Sequence, residues 1–304
     1  MEPIVVFIPC LNEEQTIAKV VTDFRRELPG AEVVVVDNDS NDNSRREASQ
    51  AGAKVLLERR RGKGYVVQSM FQATRGAILV MVDGDDTYPA SRVHELVAPI
   101  LRREAEMVIG SRMMADSGSR FRALNRLGNL FYQRMTNAIF GTRLTDVLSG
   151  YRAFSPELVQ SLPIFVTGFE VEAELTIKCL ERGYRILEVP IGLRPRQPGS
   201  RSKIRIVGDG LRILATILAL FRDYKPLTFF GGLGLVLLIP GSVALAWTVG
   251  SPTPGVLPSP SWVALLELVS VLAGGVLIAM GLILHTVKRR FQELEYYLRL
   301  LIQK

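Results

Sequence analysis

Two stretches near the carboxyl end, residues 227–249 and 262–285, constrain this chain more than any other feature. The first carries no charge and the second carries one, Glu267; each supplies the roughly 20 apolar residues that a helix needs to cross a bilayer. The sequence therefore predicts a transmembrane hairpin over 227–285. Arg222 and Lys225 precede it, Lys288, Arg289 and Arg290 follow it, and the Pro-rich link at 250–261 is uncharged. Because positive loops stay on the inner face, both termini and the polar body are expected in the cytoplasm. Gly231, Gly232, Gly234, Gly274, Gly275 and Gly281 permit close helix packing within the pair or between subunits of a homo-oligomer. Just upstream, Ile204, Val207, Leu211, Leu214, Leu218 and Phe221 recur at helical spacing, with Arg205, Asp209, Arg212 and Thr216 on another face. Residues 204–226 thus form an amphipathic helix that either lies on the membrane or packs on the body. The tail, 286–304, is amphipathic again and either rests on the membrane or pairs with a neighbouring chain.

Residues 1–203 alternate between strand-like runs (4–8, 32–36, 54–57, 78–82, 107–109) and segments of helical length (13–28, 43–51, 64–74), the pattern of an open, mostly parallel α/β sheet with helices on both faces. In such sheets ligands bind beyond the carboxyl ends of the strands. The chemistry available there is limited by composition. Two cysteines, Cys10 and Cys179, are too few for a disulfide scaffold or a zinc cluster and read as reduced thiols; two histidines, His94 and His285, supply no histidine-based triad. Carboxylates, arginines and lysines remain. The apolar run at 4–8 is too short for a signal peptide, and none is expected. Neither a Gly-x-Gly-x-x-Gly turn nor a Walker A loop occurs.

The loops that follow the strands are distinctive. After the first, Pro9-Cys10-Leu11-Asn12-Glu13-Glu14 offers Asn12 as a helix cap, with Gln15 reaching back. After the second, Asp37-Asn38-Asp39-Ser40-Asn41-Asp42 is either an acceptor for a base or ribose hydroxyl or a solvated turn. After the third, Arg59-Arg60-Arg61-Gly62-Lys63-Gly64 is either a phosphate loop or basic surface. The fourth delivers Asp83-Gly84-Asp85-Asp86; two carboxylates one residue apart either share a hard divalent cation or merely cap a helix near Ala90.

Taken together and in this order, Pro9-x-x-Asn12-Glu13, Asp37-Asn38-Asp39-Ser40-x-Asp42, Arg61-Gly62-Lys63-Gly64 and Asp83-Gly84-Asp85 resemble the family 2 glycosyltransferases of the GT-A fold. That resemblance implies a nucleotide-sugar donor along Pro9, Asn12, Glu13, Asp37, Asp39 and Lys63. It also implies that Asp83 and Asp85 serve the nucleotide and its Mg²⁺ or Mn²⁺, with Asp85 central to catalysis. Asp83-x-Asp85-x-Thr87 also matches the nucleophile motif of haloacid dehalogenase-type phosphatases, but that motif follows the first strand of its domain, and here three strands precede it.

Further motifs, Gly110-Ser111-Arg112, Asn125-Arg126-Leu127-Gly128-Asn129 and the small-residue turn at 145–152, resemble the polyprenol-phosphate branch, typified by the dolichol-phosphate mannose and glucose synthases. The resemblance implies that Arg112 and Arg126 hold a lipid phosphate, for which guanidinium forks are suited. Asp146 matches an acidic position with a catalytic role; it orients the acceptor, binds the cation or pairs with Arg152. Glu170 or Glu172 reaches the sugar, or the acid at this helix start is structural. Near the membrane, Arg196, Arg201 and Lys203 resemble an arginine–serine–lysine phosphate segment with its spacing off by one residue. The expected partners are a nucleotide sugar, a polyprenyl phosphate and the bilayer, with no nucleic acid. A uridine diphosphate sugar, glucose first, is favoured, with GDP-mannose and UDP-N-acetylglucosamine as alternatives. A processive polysaccharide synthase lacks support because no Gln-x-x-Arg-Trp segment occurs, and a non-catalytic scaffold because Asp83 and Asp85 are both present.

Overall fold

The computed structural model describes residues 2–74, 76–114, 123–197, 203, 206–250 and 261–302. Among them seven strands form one sheet: β1 (Ile4–Cys10), β2 (Glu32–Asp37), β3 (Lys54–Leu57), β4 (Ile78–Met81), β5 (Met107–Ser111), β6 (Arg152–Phe154) and β7 (Ile186–Pro190). Their order is β3-β2-β1-β4-β6-β5-β7. Pairing is parallel except that β6 runs antiparallel to both its neighbours, Arg152 lying opposite Met81 of β4 and Ile109 of β5.

Strand residues alternate between two cores, as a period of two requires. Val6, Ile8, Val33, Val35, Ile78 and Val80 pack with α1 (Ile17–Glu27) and α4 (Val93–Leu101). Their neighbours Phe7, Val34, Val36, Leu79 and Met81 pack with α3 (Lys63–Ala73), α6 (Pro156–Ser161) and α7 (Val171–Glu181). Burial on both faces explains why β2 and β4 are apolar at nearly every position. In α1, Ile17, Val20, Val21 and Phe24 form the buried stripe of a surface helix. The remaining helices of this body are α2 (Ser44–Gln50) and α5 (Ala123–Phe140).

Two local expectations are corrected. Asn12 does not cap α1: the helix begins at Ile17 behind Thr16, without a side-chain cap, and Asn12 adopts φ 52°. Nor does 145–152 form only a turn, because its last residue opens β6. Three residues are too few for alternation to show in the sequence.

Contact density divides the chain into two compact units, residues 1–217 and 218–304. The division falls within α8 (Ile206–Tyr224), whose apolar residues occupy two faces. Ile213, Ile217 and Leu220 are buried together with Asp209, while Val207 and Leu211 of the stripe read from the sequence are exposed. In the second unit, α9 (Pro226–Gly250) and α10 (Ser261–Ile302) are each long and apolar enough to cross a membrane. They pack through small residues. A methyl group on Gly234 would stand 2.7 Å from the Gly274 carbonyl, and one on Gly241 3.0 Å from the Ser270 side chain, whereas Gly232 and Gly275 face open space. Glu267 turns inward and accepts a hydrogen bond from Thr248 at 3.1 Å. Residues 286–302 of the tail continue α10 without interruption, and the whole helix, at 1.5 Å per residue, measures about 63 Å.

Candidate active site

Every parallel strand ends at the same edge, and there the backbone is unusually contorted. Asn12, Asp39 and Asp86 have φ of 52°, 62° and 57°, a left-handed conformation that Asn and Asp tolerate better than other non-glycine residues. Side chains knit these loops together. Asn12 N–H donates to Ser40 Oγ at 2.9 Å and Glu13 N–H to Ser44 Oγ at 2.7 Å. Asn38 donates to the Glu58 and Arg60 carbonyls and accepts from Gly62 N–H at 2.8 Å. Gly62 is required here: its φ is 138°, and a methyl group would fall 2.1 Å from the Thr167 carbonyl oxygen. Pro9 lies within β1, opposite Val36, with Cys10 between it and the loop.

Asp37 ends β2 fully buried. Its Oδ2 accepts from Ser40 N–H at 3.1 Å and from Arg45 at 3.2 Å, while among the described residues Oδ1 has no hydrogen-bond partner. Leaving such an atom dry is costly, so a ligand donor at this position would be stabilising. Asp39 is half exposed and pairs with Arg61 at 3.4 Å. The Glu13 carboxylate meets Lys203, and burial nonetheless raises its pKa.

Beyond β4, Asp83 and Asp85 each face a cation. Lys63 lies between Asp83, at 2.6 Å, and Glu172. Burial opposes its charge, but Asp83 and Glu172 outweigh that and raise its pKa. Asp85 Oδ1 accepts from Thr87 N–H at 3.1 Å and from Thr87 Oγ1 at 2.6 Å, leaving Oδ2 to Arg196. These bonds, and the extended Pro89 with no side-chain cap at the short helix beyond it, set aside the capping reading of the aspartates. Asp83 rests on Gly150, where a methyl group would stand 2.4 Å from its Oδ2.

Both carboxylates carry the hard oxygens that Mg²⁺ and Mn²⁺ accept, and both are held against positive charge already, so the pair fits a divalent cation. Among the described residues no group of three or more His, Cys, Asp or Glu is arranged to hold a metal ion by itself. Such an ion would therefore complete its shell from water and phosphate oxygens.

Arg112, just past β5, donates to Asp146 from Nε at 2.7 Å, Nη2 at 2.8 Å and its backbone N–H at 3.0 Å. Burial disfavours the guanidinium charge; Asp146 more than restores it. Asp146 thus pairs with Arg112 and not with Arg152, which is fully buried and spends its donors on the Ser149 and Val147 carbonyls and Thr176. Arg126 stands exposed near the start of α5 and bonds to none of these groups. Arg201 lies outside the described residues.

Two groups, Tyr88 and Glu188, escaped the sequence reading, and a third, Glu172, has a partner that it did not foresee. Tyr88 is buried and accepts from Gly150 N–H at 3.1 Å; burial raises its pKa, and it feels the charges of Arg112, Asp83 and Asp146. Glu172, weighed above as a sugar contact or a structural acid, is the second carboxylate on Lys63. Glu188, on β7, accepts from Thr145 N–H at 2.7 Å and Asp146 N–H at 2.8 Å, fixing the turn that holds Arg112. The signal for Glu188 was a lone carboxylate inside an otherwise apolar strand.

A mostly parallel sheet carrying acidic loops at its carboxyl edge, a carboxylate pair after β4 and a buried arginine after β5 places the molecule among the GT-A sugar transferases. The sequence profile of Glycosyl transferase family 2 matches residues 5–162. Glycosyltransferase AglJ of Haloferax volcanii is 33% identical over 301 residues, covering 97% of this chain and 99% of its own. The chain belongs to glycosyltransferase family 2, and it is a glycosyltransferase. The dolichyl-phosphate hexose transferase of Haloferax volcanii is 34% identical over 61% of this chain and 80% of its own length. Glucosyl-3-phosphoglycerate synthase of Mycobacterium tuberculosis, crystallised with Mn²⁺, uridine diphosphate and phosphoglyceric acid, superposes with a TM-score of 0.62 at 28% identity, covering 72% of this chain and 78% of that one.

Proposed function

We propose that this protein transfers one hexose from a nucleotide sugar, UDP-glucose favoured, to a polyprenyl phosphate at the cytoplasmic face of a membrane. The carrying observation is the pairing of two half-sites on one sheet edge: the carboxylates Asp83 and Asp85 after β4 and the buried guanidinium of Arg112 after β5. The orphaned Asp37 Oδ1 supports a nucleoside donor. The Mn²⁺ and uridine diphosphate crystallised with the mycobacterial synthase support a metal and a uridine nucleotide, and similarity to the Haloferax dolichyl-phosphate hexose transferase supports a lipid phosphate.

On this reading Asp83 and Asp85 hold Mg²⁺ or Mn²⁺, which when bound would neutralise charge on the departing diphosphate. Arg196, now on Asp85, and Lys63, now on Asp83, are the cations that such a complex would rearrange. Arg112, aligned by Asp146, grips the acceptor phosphate. A phosphate monoester has a second pKa of about 6 and attacks already ionised, so positioning, not a general base, is what the acceptor side supplies. Attack from the face opposite the leaving diphosphate inverts the anomeric carbon.

The test is sugar transfer in detergent from labelled UDP-glucose, UDP-N-acetylglucosamine or GDP-mannose to a short polyprenyl phosphate, with Mn²⁺ or EDTA, using native protein and Asp85→Asn. Metal-dependent labelled lipid from one donor, lost in the variant, supports the proposal and fixes the sugar. Donor cleavage without labelled lipid would move the acceptor elsewhere, and no donor binding would return the scaffold reading.

A further inference from the structure

The last part of α10 is longer than any bilayer requires, and its composition is not that of a lipid-facing surface. Leu284, Val287, Phe291, Leu294 and Leu298 follow one another at intervals of three, four, three and four residues, the heptad spacing of a coiled-coil seam, with Leu284, Phe291 and Leu298 at a and Val287 and Leu294 at d. All five are open in the structure, with exposures of 38%, 44%, 66%, 52% and 50% along the chain. The close contacts of the α9 and α10 glycines involve Ser270, Gly274, Ile278 and Gly281, all of them upstream of this line.

We infer that the end of α10 pairs with the same segment of a second copy of this chain as a parallel coiled coil. Charge complementarity selects that occupant. In the heptad register Arg290 falls at g and Glu295 at the following e, five residues on, the positions that meet between parallel strands. Arg290 now pairs within its own helix with Glu293 at 2.8 Å, an exposed contact of little energy that is readily exchanged. A helix lying on the membrane surface would have to break from the spanning segment, and α10 is continuous from Ser261 to Ile302. The parallel sense rests on the membrane insertion proposed above, which gives every copy one orientation and raises the local concentration of its tail.

The inference is tested on the full chain in native membranes by mild oxidation of Leu294→Cys, with Gln292→Cys, off the seam, as control; Cys10 and Cys179 are buried. The expected result is a disulfide-linked dimer from the seam variant and little from the control. Arg290→Glu and Glu295→Arg should each weaken the cross-link, and the double variant should restore it. Equal cross-linking at both positions, or no rescue by the charge swap, would overturn the inference. So would a spin label at position 294 reached from the lipid phase without cross-linking, which would assign this face to the bilayer. Sugar transfer enters none of these readouts, so failure of the enzymatic proposal leaves them intact, and carbonate extraction checks membrane insertion separately.

Discussion

Glu188 shows how much a single residue can decide at this site. It is a half-buried carboxylate whose acceptors are filled by the backbone of Thr145 and Asp146, and Asp146 in turn aligns Arg112. Burial raises its pKa while those N–H groups oppose the rise. Glu188→Gln should lower stability by about 1–3 kcal/mol in thermal denaturation and raise the KM for the proposed lipid acceptor several-fold with the donor KM unchanged; equal changes in both would reduce Glu188 to a packing role. Glu58 gives a pH signature. Arg60, helped by Ser69, lowers its pKa from 4.5 to about 2. The folded state therefore binds this proton less tightly than the unfolded chain, and the stabilisation, complete above about 4.5, is lost as pH falls towards 2. Glu58→Gln should flatten acid denaturation across that window. The chain from Glu188 through Asp146 to Arg112 was not legible in the sequence: Arg112 and Asp146 are 34 residues apart and Glu188 another 42, and nothing local in a chain encodes such pairings.

Elements were more legible where burial is uniform. The apolar runs of β1, β2 and β4 and the stripe of α1 follow directly from alternation and helical period, and the acidic or basic loop after each strand marks the edge where the candidate groups gather. What failed was short or continuous: β6 is too brief to show a pattern, and α10 passes through the end of its apolar stretch without a breaking residue to mark it. The loop after β1 misled because Asn12 with Gln15 three residues on reads as a capping box, whereas here Asn12 ties the first loop to the second. In the hairpin, glycine identity matters by position. Gly274→Leu should drive a side chain into the Gly234 carbonyl and Leu238, costing about 1–3 kcal/mol as overpacking does, whereas Gly275→Leu, in open space, should be nearly neutral. Melting of the two variants in detergent separates them; equal melting temperatures would mean that α9 and α10 do not pack through Gly274.

For the molecule as a whole, the proposed orientation predicts where reagents reach. Single cysteines beside Arg222 and Arg289 should react with a membrane-impermeant maleimide only in inside-out vesicles, and one within 251–260 only in right-side-out cells; the reverse pattern would place the sugar-transferring unit on the other face. That unit also contains an internal ruler. Because β6 lies between β4 and β5, the strand ends that carry Asp83 and Arg112 are two strand spacings apart, about 10 Å. The interval is written in backbone hydrogen bonds, which side-chain substitution does not lengthen. If the donor lies at Asp83 and the acceptor phosphate at Arg112, as proposed, changes in the loops would alter which sugar or acceptor is taken while the sheet keeps the two strand ends at one separation.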